Sequence, residues 1–197
     1  MNSKRIFIIL VIVSTALFSF FLTYLFKIET KPRVLPIAGE VPDFVLKDSQ
    51  GEPFTSQQLK GKIWVADFIF TTCGGICPLM TKNMAQLHRS FLGLKNISLV
   101  SISVNPEQDT PEALKAYALK FNADTSQWHF LTGTRESIQH IATQGFKLGS
   151  VKEPVFHSAQ FVLVDKDFKI RGYYEGTVPA QIAQLFKDIA QLMKEKQ

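Results

Sequence analysis

The N-terminal part of the chain is apolar without interruption. Residues 6–26 contain no charged side chain, and Lys4 and Arg5 lie directly before them. A helix that crosses a bilayer needs about 20 such residues, whereas the apolar core of a cleaved signal peptide is about 7–15 residues long and ends in small side chains. This stretch ends in the bulky sequence Tyr-Leu-Phe. The pattern therefore predicts a tail and an uncleaved transmembrane anchor within residues 1–27.

After the anchor, the pattern alternates between short apolar runs and amphipathic stretches. Residues 28–40 carry two prolines and mixed charges, which predicts a tether, and residues 41–197 read as one folded domain. Helices are expected where apolar residues recur at helical spacing, and strands where β-branched residues form short runs. The predicted strands cover 63–70, 97–104, 128–131, 159–165 and 169–174, and the predicted helices cover 80–92, 110–121, a stretch after Thr134 and a stretch from Pro179.

The order of these elements predicts the fold class. It reads β-α-β-α-β-α-β-β-α, with a short β extension before the first central strand. Strands that alternate with helices indicate a largely parallel sheet covered on both faces. A βαβ half followed by a ββα half is the thioredoxin-like arrangement. We therefore expect an α/β protein with a thioredoxin-like fold and an N-terminal β extension, preceded by one transmembrane helix.

The distribution of charged residues indicates which partners and which cellular location to expect for the protein. The formal net charge of +5 falls to about +2 without Lys4, Arg5 and Lys27, and no basic run with interleaved aromatic residues occurs, so no nucleic-acid partner is expected. Basic residues flank the anchor on both sides, so the positive-inside rule is nearly balanced. Because a short tail precedes the anchor, we expect a single-pass protein of the cell (inner) membrane with its domain on the extracytoplasmic side. No cysteine near the anchor could carry a lipid.

The only two cysteines of the chain are Cys73 and Cys77, at a predicted strand-to-helix turn. Two thiols at this spacing can form a disulfide or bind a soft metal such as copper or zinc. A bridge that closes so short a loop adds little stability by the chain-entropy account, so a purely structural disulfide is a poor use of the pair. A helix N-terminus stabilises thiolates, which favours reactivity.

A metal site would need a third ligand, and histidine is the usual one. His157 lies in a loop before the strand 159–165, on the side of a thioredoxin-like sheet where the cysteine turn is expected. His88 is expected on the solvent-exposed face of its helix, and His129 and His140 in surface or core roles. His157 is therefore the candidate third ligand.

Four further residues near the predicted site carry weaker signals. Met80 and Met84 are soft thioethers, but their helical spacing is typical of core residues. Asp67 interrupts an apolar strand, and it is either a hydrogen-bonded structural residue or a carboxylate of raised pKa that relays protons to the thiols. Asp109, next to Thr110 and Pro111, is interpreted as part of a helix start.

Four ordered segments resemble the Sco/SenC family of membrane-anchored copper proteins, over about residues 41–194. The family's cysteine motif is similar to Phe70-Thr-Thr-Cys-Gly-Gly-Ile-Cys-Pro78, and its Ser-Val-Asp-Pro-Glu-x-Asp-Thr-Pro segment is similar to Ser103-Val-Asn-Pro-Glu-Gln-Asp-Thr-Pro111. Its middle strand is similar to Trp128-His-Phe-Leu-Thr-Gly133. Its histidine loop and hairpin are similar to Val155-Phe-His-Ser158 with Leu163-Val-Asp165 and Arg171-Gly-Tyr173.

The resemblance implies a function. It implies one copper, as Cu(I) or Cu(II), bound through Cys73, Cys77 and His157, in a metallochaperone that assists assembly of the copper centre of cytochrome c oxidase. The copper-centre subunit of that oxidase is the implied partner. Members of the family either supply copper or reduce the target's cysteines, so a redox disulfide between Cys73 and Cys77 is also implied.

Two positions depart from the family's pattern. The family often has Pro or an acidic or polar residue after the first cysteine, where this chain has Gly74 and Gly75, and the family's Asp in the second segment is Asn105. The alternative function is a thiol–disulfide oxidoreductase that reduces cysteines of a partner protein. A peroxidase, or an interaction domain with a structural disulfide, is a further rival. Whether the protein is an enzyme stays open, with a metallochaperone favoured.

Overall fold

The computed structural model describes residues 3–29, 34–149 and 158–195 of the chain. The chain divides into two units, one up to Val34 and one from Leu35 onwards. In the described residues of the first unit, one long helix, α1, covers Ser3–Glu29. Its part Ser3–Tyr24 is long and apolar enough to cross a membrane.

The second unit is built on one mixed sheet. Among the described residues this sheet has eight strands, in the order β1-β8-β7-β4-β5-β6-β2-β3. Strands β4, β5 and β6 are parallel neighbours, and β7 and β8 continue the sheet as an antiparallel hairpin. The strands are β1 Gly39–Glu40, β2 Val45–Asp48, β3 Pro53–Thr55, β4 Ile63–Ile69, β5 Ile97–Ser103, β6 Trp128–Thr132, β7 Gln160–Val164 and β8 Lys169–Glu175.

Helices cover both faces of this sheet, as the sequence predicts for a thioredoxin-like fold. Three of them share one core with one face of the central strands, and α4, with the π-helical turn Ile141–Gly145, shares the other. The helices of this unit are α2 Cys77–Phe91, α3 Pro111–Lys120, α4 Arg135–His140 and α5 Pro179–Lys194, with a 3₁₀ turn at Ser56–Leu59.

Strand β4 is buried along its whole length and contributes to both cores. Ile63, Val65 and Ile69 belong to the core under α2 and α5, whereas Trp64 and Phe68 belong to the other. Successive side chains of a strand point to opposite faces, which accounts for this division. A continuous apolar run is what a central strand covered by helices on both sides requires.

The predicted helix starts at Thr110 and Thr134 are confirmed. The hydroxyl oxygen of Thr110 accepts a hydrogen bond from the Ala113 amide at 3.3 Å, and that of Thr134 accepts one from the Ser137 amide at 3.1 Å. Each bond satisfies one of the amides that a helix N-terminus leaves unpaired.

The expectation that His88 lies on a solvent-exposed face is wrong. Its side chain is buried, and its ring lies 5.6 Å from the Trp128 ring between centroids. His88 follows the core residue Met84 by four positions, which puts both on the same face of α2. The apolar stripe of this helix is therefore wide enough to include one histidine.

Candidate metal centre

The two cysteines lie at the C-terminal end of β4, where the chain turns into α2. Cys73 occupies the loop, and its amide donates a 3.2 Å hydrogen bond to the Phe70 carbonyl, which closes a turn. Cys77 is the first residue of α2. Pro78 follows in the first helical turn, where the missing N–H of proline costs nothing. The predicted strand-to-helix position of the pair is confirmed.

The two thiols are free and differ in environment. Cys73 is partly exposed, and Cys77 is 4% exposed. Burial opposes ionisation of Cys73, but hydrogen bonds from the Cys77 thiol and from the amides of Cys77, Gly75 and Ile76 outweigh it and lower the pKa of Cys73. Burial, together with the adjacent Cys73 thiol, raises the pKa of Cys77 to about 12. Cys73 is therefore the readily ionised thiol of the pair.

Both cysteines open onto one cavity of about 340 Å³. Its walls are mainly apolar, and such surroundings shelter a thiolate–metal bond from water. The cavity is lined by Phe68, Phe70, Cys73, Gly74, Gly75, Ile76, Cys77, Met80, Val104 and Ser158.

The predicted third ligand, His157, lies outside the described residues. Ser158, the next residue in the chain, lines the same cavity as both cysteines. Within residues 3–29, 34–149 and 158–195, no group of three His, Cys, Asp or Glu side chains could hold a metal ion. The ligand set of Cys73, Cys77 and His157 therefore stays a prediction.

The other three histidines are not brought to the cysteines by any contact in the described part of the chain. His88 packs against Trp128, and His129 packs against Phe54 with 4.7 Å between ring centroids. Burial, with Lys62 nearby, lowers the pKa of His129 to about 4. His140 is exposed at the end of α4. These positions agree with the core and surface roles expected of His129 and His140.

Met80 and Met84 are both fully buried in the core beneath α2. This confirms the core role that their spacing predicts. Met80 has a second environment, because it also lines the cysteine cavity. Met84 contributes to the core only.

Asp67 lies in β4 and is completely buried. Its Oδ1 accepts a 2.6 Å hydrogen bond from the Ser101 hydroxyl, and its Oδ2 has no partner among the described residues. Burial raises the pKa of Asp67 to about 7, and the bond from Ser101 offsets only part of that effect. The negative charge of Asp67 also contributes to the raised pKa of Cys77. Both properties considered from the sequence, a structural hydrogen bond and a raised pKa, are therefore present.

The sequence-based interpretation of Asp109 as part of a helix start is wrong. The Thr110 side chain caps α3, and the buried Asp109 carboxylate instead accepts hydrogen bonds from the loop that carries Cys73. A further bond comes from the Ser103 hydroxyl at 2.6 Å. Thr71 and Asp109 are 38 positions apart, and no local pattern in the sequence links them.

Asn105, at the position where the family pattern has Asp, takes part in the loop after β5. Its amide donates a 3.0 Å bond to the Ser103 hydroxyl, and its side-chain Nδ2 donates a 3.1 Å bond to Gln108 Oε1. A hydrogen-bonded carboxamide at this position carries no negative charge.

Comparison with known proteins gives consistent results. The family model described as SCO1/SenC matches residues 37–194. The SCO1 protein homolog of Bacillus subtilis (strain 168) is 36% identical over 162 residues, which cover 78% of this chain and 83% of that protein. A putative copper-binding protein of Stutzerimonas stutzeri is 30% identical over 148 residues, covering 71% of each.

Solved structures agree with these matches. A SCO1/SenC family lipoprotein from Bacillus anthracis str. Ames superimposes with a TM-score of 0.72 at 35% identity, over 81% of this chain and 98% of that one. BsSco, a Sco family cytochrome c oxidase assembly protein with a disulfide switch, gives a TM-score of 0.72 at 31% identity, over 83% and 100%.

Proposed function

The chain belongs to the SCO1/SenC family, and from this premise we propose that it is a copper metallochaperone for assembly of the copper centre of cytochrome c oxidase. One observation carries the proposal. Two thiols of unequal acidity share an apolar cavity with Ser158, the residue that follows His157. The copper-centre subunit of the oxidase is the proposed recipient.

Cys73, Cys77 and His157 are the proposed copper ligands. Thiolate sulfur and imidazole nitrogen suit copper, whereas carboxylate-rich sites suit magnesium or calcium. The name of the Stutzerimonas stutzeri relative, a putative copper-binding protein, supports this choice. Copper is the cargo of this site, carried as Cu(I) or Cu(II).

The unequal thiols suggest an order of binding. The Cys73 thiolate is the first to meet the metal, because its pKa is lowered and its side chain is partly exposed. Cys77 keeps its proton until the metal arrives, because burial opposes the charge of a free thiolate. Binding then releases the proton of Cys77, which makes copper affinity depend on pH.

The proposed location is the cell (inner) membrane. Helix α1 would span the bilayer once and leave the copper-binding domain on the extracytoplasmic side. The length and apolar character of Ser3–Tyr24 support a span. An oxidising compartment outside the cytoplasm would allow a Cys73–Cys77 disulfide to persist.

The second candidate function is thiol–disulfide exchange with cysteines of a partner protein. The partly exposed Cys73 of lowered pKa and the buried Cys77 beside it are an attacking thiol and a resolving thiol in position. The disulfide switch of BsSco favours this candidate. When a disulfide of the partner accepts two electrons and is reduced to two thiols, the Cys73–Cys77 disulfide forms, and this would remove both thiolates from copper and couple copper release to oxidation.

The test is a copper titration of the reduced full chain in detergent micelles. The wild-type protein should bind one Cu(II) with sulfur-to-copper charge-transfer absorption. The double variant Cys73→Ser with His157→Ala should lose more than about 100-fold in affinity, because two of three ligands are removed. His140→Ala, which removes an exposed histidine on α4, is the matched control and should bind as the wild type does.

Full affinity in the Cys73→Ser, His157→Ala double variant would rule out the proposed site. For the second candidate, Cys77→Ser should trap a mixed disulfide between Cys73 and a partner thiol, whether or not His157 is present. A trapped complex without copper binding by the wild type would favour the oxidoreductase over the metallochaperone.

A further inference from the structure

We propose that Asp109 is a positioning residue for the cysteine pair, holding through Thr71 the backbone of Phe70, which contacts both Cys73 and Cys77. The inference deepens the proposed function and rests on it only for the role of the metal. The buried carboxylate of Asp109 lies on the loop between β5 and α3, whereas the cysteines whose positions it controls lie where β4 turns into α2.

Four hydrogen bonds from Thr71 and Ser103 hold the Asp109 carboxylate, and we call this arrangement the clamp. The Thr71 amide donates to Oδ1 at 3.2 Å and to Oδ2 at 3.1 Å, and the Thr71 hydroxyl donates to Oδ1 at 2.6 Å. The Ser103 hydroxyl donates to Oδ2 at 2.6 Å. Asp109 is completely buried. A carboxylate removed from water is stable only with such bonds, so the arrangement strongly resists displacement of Thr71.

Thr71 directly follows the residue whose backbone contacts both cysteines. The Phe70 carbonyl accepts a 3.2 Å hydrogen bond from the Cys73 amide. The Phe70 backbone also forms a hydrogen bond with the Cys77 side chain. Because a peptide unit is planar, fixing the Thr71 amide also fixes the Phe70 carbonyl. The carboxylate of Asp109 thus fixes the acceptor of the Cys73 amide, in the residue whose backbone also contacts Cys77.

The rest of the cysteine loop has few restraints of its own. Gly74 and Gly75 are exposed, and a Cβ added at Gly74 would meet nothing within 4 Å. At Gly75 it would meet only the Cys73 sulfur, at 3.8 Å. Cys77 is held by α2, so the separation of the two sulfurs depends on the Thr71 end of the loop.

The contact of Thr72 with Gln108 can be compared with that of Thr71 with Asp109. Thr72, one residue nearer to Cys73, donates a 3.3 Å hydrogen bond from its hydroxyl to Gln108 Oε1 in an exposed position. An exposed bond between neutral groups contributes less than the part-buried bonds of Thr71 to a buried carboxylate. If proximity to Cys73 alone mattered, Thr72 would be the more important threonine.

The test compares Thr71→Val, Thr71→Ser and Thr72→Val in the reduced, copper-free full chain in detergent micelles. The measurement is hydrogen exchange of the Cys73 amide, followed by NMR. Thr71→Val keeps the shape of threonine but removes its hydroxyl, and exchange should become about 10-fold faster or more. Thr71→Ser keeps a hydroxyl donor, so the Cys73 amide should exchange at the wild-type rate. In Thr72→Val the exchange rate of the Cys73 amide should stay within about 2-fold of that in the wild type. The amide of Leu99 in β5, bonded to the Gln127 carbonyl, should be unchanged in all three.

Three exchange results would overturn the proposal. One is unchanged Cys73 exchange in both Thr71→Val and a second variant, Asp109→Asn. Another is an effect of Thr72→Val as large as that of Thr71→Val. Equal acceleration at Cys73 and Leu99 would also overturn it, since the threonine would then stabilise the whole fold rather than the loop.

A second readout concerns copper itself. In Thr71→Val the charge-transfer spectrum of the Cu(II) complex and its electron paramagnetic resonance splitting should shift from those of the wild type, and Thr71→Ser should restore them. Unchanged spectra in Thr71→Val would contradict the positioning role. If the wild type bound no copper, the proposed function would fail, while the exchange measurement would still decide whether the clamp exists.

Discussion

Ser101 and Asp67 form a hydrogen bond of 2.6 Å between a hydroxyl and a carboxylate in the middle of the central sheet. The two residues face each other across the parallel pair of β4 and β5, and both are completely buried. Trp128 Nε1 donates a 3.0 Å bond to the same hydroxyl. The second oxygen of Asp67 has no partner in the described part of the chain. A polar group of this kind in a core makes stability depend on pH.

Asp67→Asn should change the pH dependence of stability. The pKa of Asp67 is about 7 in the folded protein against an ordinary value of 3.8, so the folded state holds a proton that the unfolded chain loses as pH rises above about 4. The contribution of Asp67 to the free energy of unfolding of the wild type therefore falls between about pH 4 and pH 7 and is constant above about pH 7. Asparagine cannot ionise, so the variant should gain up to roughly 4 kcal/mol relative to wild type over that range. Urea unfolding at pH 4.5, 6 and 8 measures the difference.

His129 acts in the opposite direction and must be separated from this effect. Burial lowers its pKa to about 4 from an ordinary 6.5, so its contribution to stability is lost as pH falls through that range. The wild-type profile combines both groups, and only the difference between Asp67→Asn and wild type isolates the carboxylate. Parallel profiles for the two proteins would contradict the raised pKa of Asp67.

Ser101→Ala should destabilise the protein by about 2–4 kcal/mol, because it leaves both Asp67 Oδ1 and Trp128 Nε1 without a partner in the core. The loss should be larger at pH 8 than at pH 5, since the carboxylate is then ionised. Ser126→Ala is the matched control: Ser126 also donates a 2.6 Å bond to an aspartate, Asp124, but on the surface. It should stay within about 0.5 kcal/mol. Equal losses for the two variants would show that burial is not the deciding factor.

Alkylation should distinguish the two cysteines. With iodoacetamide at pH 8, we expect Cys73 of the reduced, metal-free protein to react at least about 10-fold faster than Cys77, because the thiolate is the nucleophile. Cys73 is partly exposed with a lowered pKa, whereas burial raises the pKa of Cys77 to about 12. Peptide mapping by mass spectrometry measures both rates in one sample. Preferential modification of Cys77 would reverse the proposed order of metal binding and thiol exchange.

Two glycine-to-alanine changes should have opposite effects on stability. A Cβ at Gly172 would lie 2.6 Å from the Tyr174 hydroxyl, which donates a 2.7 Å bond to Asp188 in the core, so Gly172→Ala should cost about 1–3 kcal/mol. Gly74→Ala meets open space and should stabilise by up to about 1 kcal/mol by restricting the unfolded chain. Chemical unfolding of both variants provides the comparison. A destabilising Gly74→Ala would mean that the cysteine loop needs a conformation only glycine adopts.

Much of the fold follows from local pattern. The continuous apolar run of β4 predicts a central strand, because only a strand covered on both faces can bury every side chain. The threonines before Pro111 and Arg135 predict helix starts, because a hydroxyl there satisfies a free amide. Cysteines directly after the central strand predict a site at the edge of the sheet where parallel strands end.

The sequence alone determined the order of the elements, the apolar N-terminal helix and the position of the cysteine pair, because periodicity and capping depend on neighbours within a few residues. Only the tertiary structure decided the burial of His88, the bond of Ser101 to Asp67 and the contact of Asp109 with Thr71. Each joins positions far apart in the chain, and register between strands and packing between layers set such contacts. The unequal acidity of Cys73 and Cys77 also depends on the folded structure, since it arises from the burial of Cys77 and from the hydrogen bonds that Cys73 accepts in the turn before α2.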